Sequence, residues 1–557
     1  MSFTWYDRHD YFDFPQLESW CEQLAATHPE WVSLETLGET RHGRPILLLT
    51  LARHDGAEHR RPAFWIDGGT HAVEWTGVMN TVSAISTWVQ AAVETDAGAE
   101  RLSRHTVYAV PCISPDGFQA MHEGAPFIRS SLRPPVEGTV RSGLDPCDVD
   151  GDGVVRWMRW KDPAGPFVHD PELPILMRPR TLEDSPDDAY FMCQEGEFID
   201  WDGEKWTSAP YLYGQDLNRN FPASWKPFSM FGMDGGKYPL SEIETRTVVD
   251  AFHARQNIAA ALTNHTYTGC LLTAPHSPND PLPVGDVLLL RKLAESAVEG
   301  TDYRVFSTHP EFTYDEKNPI VGTWDECLGS TFGVAGYTFE LWDPFGTAGV
   351  DNPDPAKFFT KPDAGKLRTM VKHFVDTFPS CVSAWTEFEH PQLGAVEIGG
   401  IDYLHTVRNP PLELLEKELE RGFLVADRLF RALPHVVPTV RVEPLGDGLR
   451  QVVVVVENRG YLPSSSLQYG EGIGAAGACT VRIELSDGDD IIDGSPGQTL
   501  HHLDGWGTAQ AGSSSTAIYA QLPGRGHRAV ARWLLRGNGP VTVVWDFGRG
   551  GSGSVSL

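Results

Sequence analysis

His71 and Glu74 stand three residues apart, directly after an apolar run from Arg61 to Ile66 that reads as a strand. Trp75, Val78, Met79, Val82, Ile85 and Val89 then recur at helical spacing, so Glu74 opens a helix and both side chains sit on a strand-to-helix corner. A borderline cation such as Zn²⁺ accepts a histidine nitrogen and a carboxylate oxygen, and a catalytic site needs one more protein ligand and an open position for water. The third candidate is His265, just past the short apolar run Ile258 to Thr263. In open α/β sheets, sites gather outside the carboxyl ends of the strands, where loops distant in sequence meet. A single histidine after a strand is more commonly an ordinary polar loop residue. The sequon Asn264-His265-Thr266 is read as a chance match.

Two further segments carry chemistry. Gly336 to Asp343 is a strand pattern with one acidic residue, Glu340, among apolar neighbours, and such a carboxylate is costly unless it is partnered or catalytic. Asp216-Leu217-Asn218-Arg219-Asn220 offers a guanidinium, which recognises a carboxylate through two parallel hydrogen bonds, and an adjacent amide donor. Read singly, Arg219 is equally a surface ion-pair residue.

Together these pieces resemble the zinc carboxypeptidases of the A/B type. The matching stretches are Gly69 to Trp75, Ser114-Pro115-Asp116-Gly117-Phe118, Asp216 to Asn220, His265-Thr266-Tyr267 and Thr338 to Asp343, in the family's order and within residues 5 to 380. The resemblance implies one zinc ion held by His71, Glu74 and His265, with Glu340 as general base. It also implies Asn218 and Arg219 as anchors of the substrate's terminal carboxylate, and Tyr267 as a substrate contact. Arg156-Trp157-Met158-Arg159 resembles the family's arginine stretch, which makes Arg159 the expected oxyanion donor and Arg156 the alternative. The family's mobile tyrosine falls near position 317, where Tyr314 is the nearest candidate. The specificity pocket falls around Thr323 to Glu326: Trp324 would narrow it, whereas Asp325 or Glu326 facing inwards would favour basic residues. Val73 stands where the family often carries arginine.

The fold implied is α/β, a mixed central sheet flanked by helices, over residues 1–435. This domain carries an insertion over about 123–213 and a C-terminal helical extension over about 386–435. Within the insertion, Asp148, Asp150 and Asp152 match the start of a calcium loop, although Arg159 stands where its closing glutamate belongs; a plain Asp/Gly turn is the other reading. Leu412 to Leu433 reads as one amphipathic helix. Residues 436–557 alternate short β-rich runs with Gly/Ser/Asp turns, at Gln451–Glu457, Cys479–Leu485, Thr516–Gln521, Arg528–Leu535 and Pro540–Trp545, which reads as an antiparallel β-sandwich accessory domain.

Composition fits a soluble enzyme. A net charge of −30 with no basic patch argues against nucleic-acid or acidic-membrane partners. No apolar run reaches transmembrane length, and the first residues lack an apolar signal core, so a cytoplasmic location is expected. The eight cysteines include no C-x-x-C pair and read as reduced thiols. Three functions compete: a metallocarboxypeptidase acting on peptides with a free C-terminal carboxylate, an N-acyl amino acid deacylase, and a catalytically silent binder of peptide C-termini. The retained ligand set and base favour the first.

Overall fold

The computed structural model describes residues 3–204, 206–315, 318–511 and 526–557. Among these, eight strands form the central sheet: β1 (Val32–Glu39), β2 (Pro45–Leu51), β3 (Ala63–Gly68), β4 (Thr106–Val110), β5 (Ile258–Thr266), β6 (Cys270–Thr273), β7 (Arg304–Ser307) and β8 (Ala335–Leu341). Their spatial order is β1-β2-β4-β3-β5-β8-β6-β7. The central four, β4, β3, β5 and β8, run parallel, while β2 and β6 flank them antiparallel. Strands covered on both faces are largely apolar, and β3, β4 and β5 are buried along their whole length, with their polar residues mostly towards the carboxyl ends of β3 and β5. The expected mixed sheet flanked by helices is what forms.

Three helices matter for what the sheet presents: α1 (Phe14–Thr27), α2 (Trp75–Glu94) and α3 (Leu412–Arg431). α1 starts at a capping box, the Asp13 carboxylate accepting from the Gln16 N–H and the Gln16 side chain accepting from the Asp13 N–H. α2 is apolar almost all round because it lies between the sheet and α3. Its approach to the sheet needs two glycines. A Cβ on Gly68 would stand 2.6 Å from the Gly77 carbonyl oxygen, and one on Gly77 would stand 2.8 Å from that of Asn264. The start of α2 is thereby held against the end of β5.

The insertion and the C-terminal extension build a second sheet together. Trp157–Lys161 pairs with Tyr190–Gln194 on one side and Gly394–Ile401 on the other, and Val382–His390, Phe167–His169 and Met177–Pro179 complete six strands. The extension is therefore not helical from about 386. Its first part is a hairpin turning at Gly394 (φ 72°), and its α-helix is confined to α3. The strand that completes it comes from the insertion, so no local signal announces the pairing.

After residue 436, two four-stranded antiparallel sheets enclose one apolar core that includes Val454, Val481, Trp533 and Val543. The Gln451, Cys479, Arg528 and Pro540 runs of the sequence lie in strands of these sheets, and the Thr516–Gln521 run lies outside the described residues. All eight cysteines are unbridged.

The terminal sheets are tied to the central one by a buried guanidinium. Arg549 donates to the carbonyls of Gly333 (2.7 Å), Phe332 (2.5 Å), Ser465 (3.0 Å) and Ala475 (3.2 Å). Burial lowers its pKa to about 10. Replacing it with methionine keeps the stem but takes the donor from four carbonyls, two of them in buried bonds. Arg549→Met should therefore cost about 3 kcal/mol, read as a lower urea midpoint; an unchanged midpoint would show that the strut carries no stability.

Candidate metal centre and cleft

β3 ends at Gly68, Gly69 turns the chain in the left-handed region (φ 67°), and His71 and Glu74 follow before α2 begins. β5 is parallel to β3 and carries His265 at the same end of the sheet. The three side chains converge. His71 Nδ1 lies 3.0 Å from Glu74 Oε1 and 3.0 Å from His265 Nδ1, which is itself 3.0 Å from Glu74 Oε2. All three residues are buried.

Their outer atoms are engaged elsewhere. His71 Nε2 faces Asp216 Oδ1 at 3.0 Å, and His265 Nε2 faces the Thr263 hydroxyl at 3.4 Å. The Thr266 N–H donates to Glu74 Oε2 at 3.0 Å. The two Nδ1 atoms and the carboxylate oxygens face one another across a common point, where a cation would take both lone pairs. Donor type, number and outer partners all fit a zinc-like cation.

Electrostatics keeps the carboxylates of the cluster ionised. Burial would raise Glu74, but His71, hydrogen bonds from His265 and His71, and Arg129 hold it well below the usual carboxylate range. Asp216 is likewise held low against burial, by Arg129, Arg219 and His71. Glu340 behaves in the opposite way: burial, then the Glu74 carboxylate, push its pKa up to about 8. In the parallel register of β5 and β8, Glu340 pairs directly with His265. A carboxyl with an elevated pKa thus lies beside the metal-type donor set.

These groups open onto a cleft of about 500 Å³ whose wall includes Glu74, Glu340, Arg219, Tyr267 and Tyr314. Arg219 donates from Nη1 to the Asn218 carbonyl at 2.6 Å, lies over Phe228 at 5.0 Å, and has an Nε without a partner. Asn218 Oδ1 accepts the Trp324 N–H at 2.9 Å. Position 317 lies outside the described residues.

Several sequence expectations are corrected here. Arg159 does not reach the cleft. It lies in the second sheet, donating to Glu397 at 2.9 Å with its guanidinium 4.0 Å from the Trp385 ring centre. Arg156 bonds Ser383 and Asp152, also away from the cleft. Arg129 does line it, beside the donor set, donating to Glu74 at 2.9 Å and to Asp216 at 3.3 Å. Its sequence signal is its place in Phe127-Ile128-Arg129, close behind the Pro-Asp-Gly stretch at the start of the insertion.

Trp324 is wholly buried below the cleft, stacked on Phe221 with its Nε1–H donating to Asp67 at 2.8 Å, and so narrows no pocket. Asp325 faces His276 Nε2 at 3.1 Å, and the Glu326 carboxylate accepts the Gly322 N–H; neither lines the cleft. The calcium loop finds no support as a set of Asp148, Asp150 and Asp152. Asp148 accepts the N–H groups of Gly151 and Gly153, Asp150 that of Asp152, and Asp152 that of Val154, which are the bonds of Asp/Gly turns. Asp148 and Asp150 approach Glu195 rather than Asp152, whose carboxylate pairs with Arg156, and Glu195 is already spent on the N–H groups of Val149, Asp150 and Arg156. Tyr403 and Arg408, from the C-terminal extension, line the cleft without having been anticipated.

Comparison with known proteins agrees with the donor set. A family profile described as zinc carboxypeptidase matches residues 17–158 and 185–359, more than half of the chain, and a profile for a domain of unknown function matches residues 436–557. Carboxypeptidase A1 of Mus musculus is 25% identical over 357 residues, covering 60% of this chain and 62% of that protein. Carboxypeptidase B of Astacus astacus is 33% identical over 112 residues, covering 20% of this chain and 35% of that protein. The chain thus spans less than two thirds of the length of these relatives. A solved structure of bovine thrombin-activatable fibrinolysis inhibitor, in complex with tick carboxypeptidase inhibitor, superposes with a TM-score of 0.45 at 14% identity, covering 76% of this chain and 97% of that one.

If Asp216 orients His71 as a ligand, Asp216→Asn should weaken metal affinity roughly 10–100-fold, measured by competition with a chromophoric chelator. Arg159→Ala, remote from the cleft, should leave affinity unchanged. The reverse ranking would contradict the placement of both.

Proposed function

The chain belongs to the zinc carboxypeptidase family, and on that premise we propose that it removes C-terminal residues from peptides by zinc-assisted hydrolysis. The observation that carries this reading is the convergence of His71, Glu74 and His265 beside Glu340, in a cleft that also presents Arg219. These three residues would hold the zinc, which when bound supplies Lewis acidity and lowers the pKa of water towards neutrality.

The chain's own groups do the rest. Arg219 receives the terminal carboxylate with its free Nε–H and guanidinium fork, and the Asn218 side-chain amide adds a donor, its Oδ1 being occupied by Trp324. This fixes the last peptide bond against Glu340. Glu340 takes the proton of the attacking water and passes it to the leaving amine nitrogen. Arg129, held in place by Glu74 and Asp216, turns its remaining N–H groups towards the developing oxyanion. Tyr267 and Tyr314 complete the wall that excludes water.

Mass spectrometry of a mixed peptide library, with and without a zinc chelator, tests the activity: chelator-sensitive loss of single C-terminal residues is expected, and cleavage of N-acyl amino acids alone would overturn it. Glu340→Gln should retain zinc and lose about 10²–10⁴-fold in kcat.

The pH profile tests the same group. The base works only when ionised, so kcat/KM falls as pH drops through its pKa. Burial and Glu74 raise that pKa to about 8, and a bound cation draws it part of the way back. The acid limb should therefore lie above the ordinary value of 4.5; a limb at or below 4.5 would remove Glu340 as the base.

A further inference from the structure

One charged group in the cleft has no use in the mechanism above. Arg408 reaches it from the extension, past the end of the matched catalytic segment at residue 359. It closes a single π-helical turn, Leu404–Arg408, between the hairpin and α3.

The turn is fixed to the metal-binding corner rather than to its own neighbours alone. The Asn409 side chain donates to the Val73 carbonyl at 2.9 Å and accepts from the Thr76 N–H at 2.9 Å and the Thr76 hydroxyl at 3.0 Å. Trp342 donates through Nε1 to the Thr406 carbonyl at 2.8 Å, and the Tyr11 hydroxyl donates to the Pro410 carbonyl at 2.9 Å. Val73 lies between His71 and Glu74, so Arg408 is placed by the same corner that places the ligands.

Its guanidinium lies among three rings, 5.2 Å from the Tyr267 centroid and 5.6 Å from those of Phe127 and Tyr403. The side chain is only 12% exposed. Its Nε has no partner, and the nearest carboxylate oxygen, Glu74 Oε1, is 3.8 Å from Nη1. Glu74 cannot serve it better, because its oxygens are taken by Arg129, the two histidines and the Thr266 N–H.

Glu74 at 3.8 Å compensates this charge only at a distance, without a hydrogen bond, and a buried guanidinium so poorly paired costs several kcal/mol, of which ring contacts of about 0.5–2 kcal/mol each offset only part. The rings take no N–H group from it as a hydrogen-bonding carboxylate would, and a guanidinium fork is the group that receives a planar carboxylate in bidentate fashion. Arg129 is already neutralised by Glu74 and Asp216. Arg219 and Arg408 remain as two guanidinia in one cleft without a hydrogen-bonded carboxylate.

We propose that Arg408 binds a second carboxylate of the substrate, so that the cleft selects peptides with an acidic side chain within their last two residues. This rests on the carboxypeptidase reading, in which Arg219 takes the terminal carboxylate. Without an acidic side chain, Arg408 is left buried in the complex with no hydrogen-bonded carboxylate, and a site built for a polar group discriminates strongly against ligands that lack it.

The test uses the full-length, zinc-loaded Glu340→Gln protein, so that binding is read without turnover. Calorimetry compares Ala-Glu-Ala with Ala-Gln-Ala and Ala-Ala-Glu with Ala-Ala-Gln, with and without Arg408→Met or Arg408→Lys. At least one acidic peptide should bind tenfold or more tightly than its amide partner. Arg408→Met should bring that ratio to about one, and Arg408→Lys, which keeps charge but not the fork, should retain part of it. Equal binding of acid and amide in both pairs overturns the assignment, as does a ratio that survives Arg408→Met. Selective binding of peptides that the wild-type protein never cleaves would instead refute the hydrolytic reading and leave Arg408 in place; cleavage without acidic preference would do the reverse.

Discussion

Everything in the cleft depends on two imidazole nitrogens and a carboxylate being held within 3.0 Å contacts in a buried space. Such a cluster is held together only from outside, and the surrounding structure supplies that support. Asp216 and Thr263 occupy the outer nitrogens, Thr266 and Arg129 hold Glu74, and Arg129 also ties Glu74 to Asp216. The sheet order explains why these groups meet: β3 and β5 are parallel neighbours, and β8 brings Glu340 alongside His265. Glycines 68 and 77 let α2 come close enough for Glu74 to join them.

The same arrangement separates the carboxylates by task. Glu74 and Asp216 are surrounded by cations and stay ionised, whereas Glu340 is buried with a like charge nearby and is driven towards the neutral range. The roles proposed for them ask for this: a carboxylate that ligates a metal, or orients a histidine that does, works as an anion, and a group that shuttles a proton must not be far from neutrality. The environments differ in the direction each role requires.

The ligand corner was legible in the sequence because it is local. His71 and Glu74 sit between a strand and a helix whose periods are plain, and His265 and Glu340 end strands whose apolar runs leave little choice. The remainder was settled by pairing between distant segments. Arg159 is drawn into a sheet with Glu397, a residue no local pattern connects to it, while Arg129 lies in the irregular stretch 123–142, which offers no secondary-structure signal. Trp324 reads as a pocket floor by position, yet its indole N–H has a buried partner in Asp67 and the ring belongs to the core beneath. Arg408 depends on a return of the chain that only the structure reveals.

The central claim is that one metal ion binds where His71, Glu74 and His265 meet. Anomalous diffraction from crystals of the zinc-loaded protein, recorded on either side of the zinc absorption edge, tests it most directly. The account predicts a single strong peak within bonding distance of His71 Nδ1, His265 Nδ1 and a Glu74 carboxylate oxygen. A peak only elsewhere, for instance among Asp148, Asp150 and Glu195, or no peak in fully loaded crystals, would contradict it.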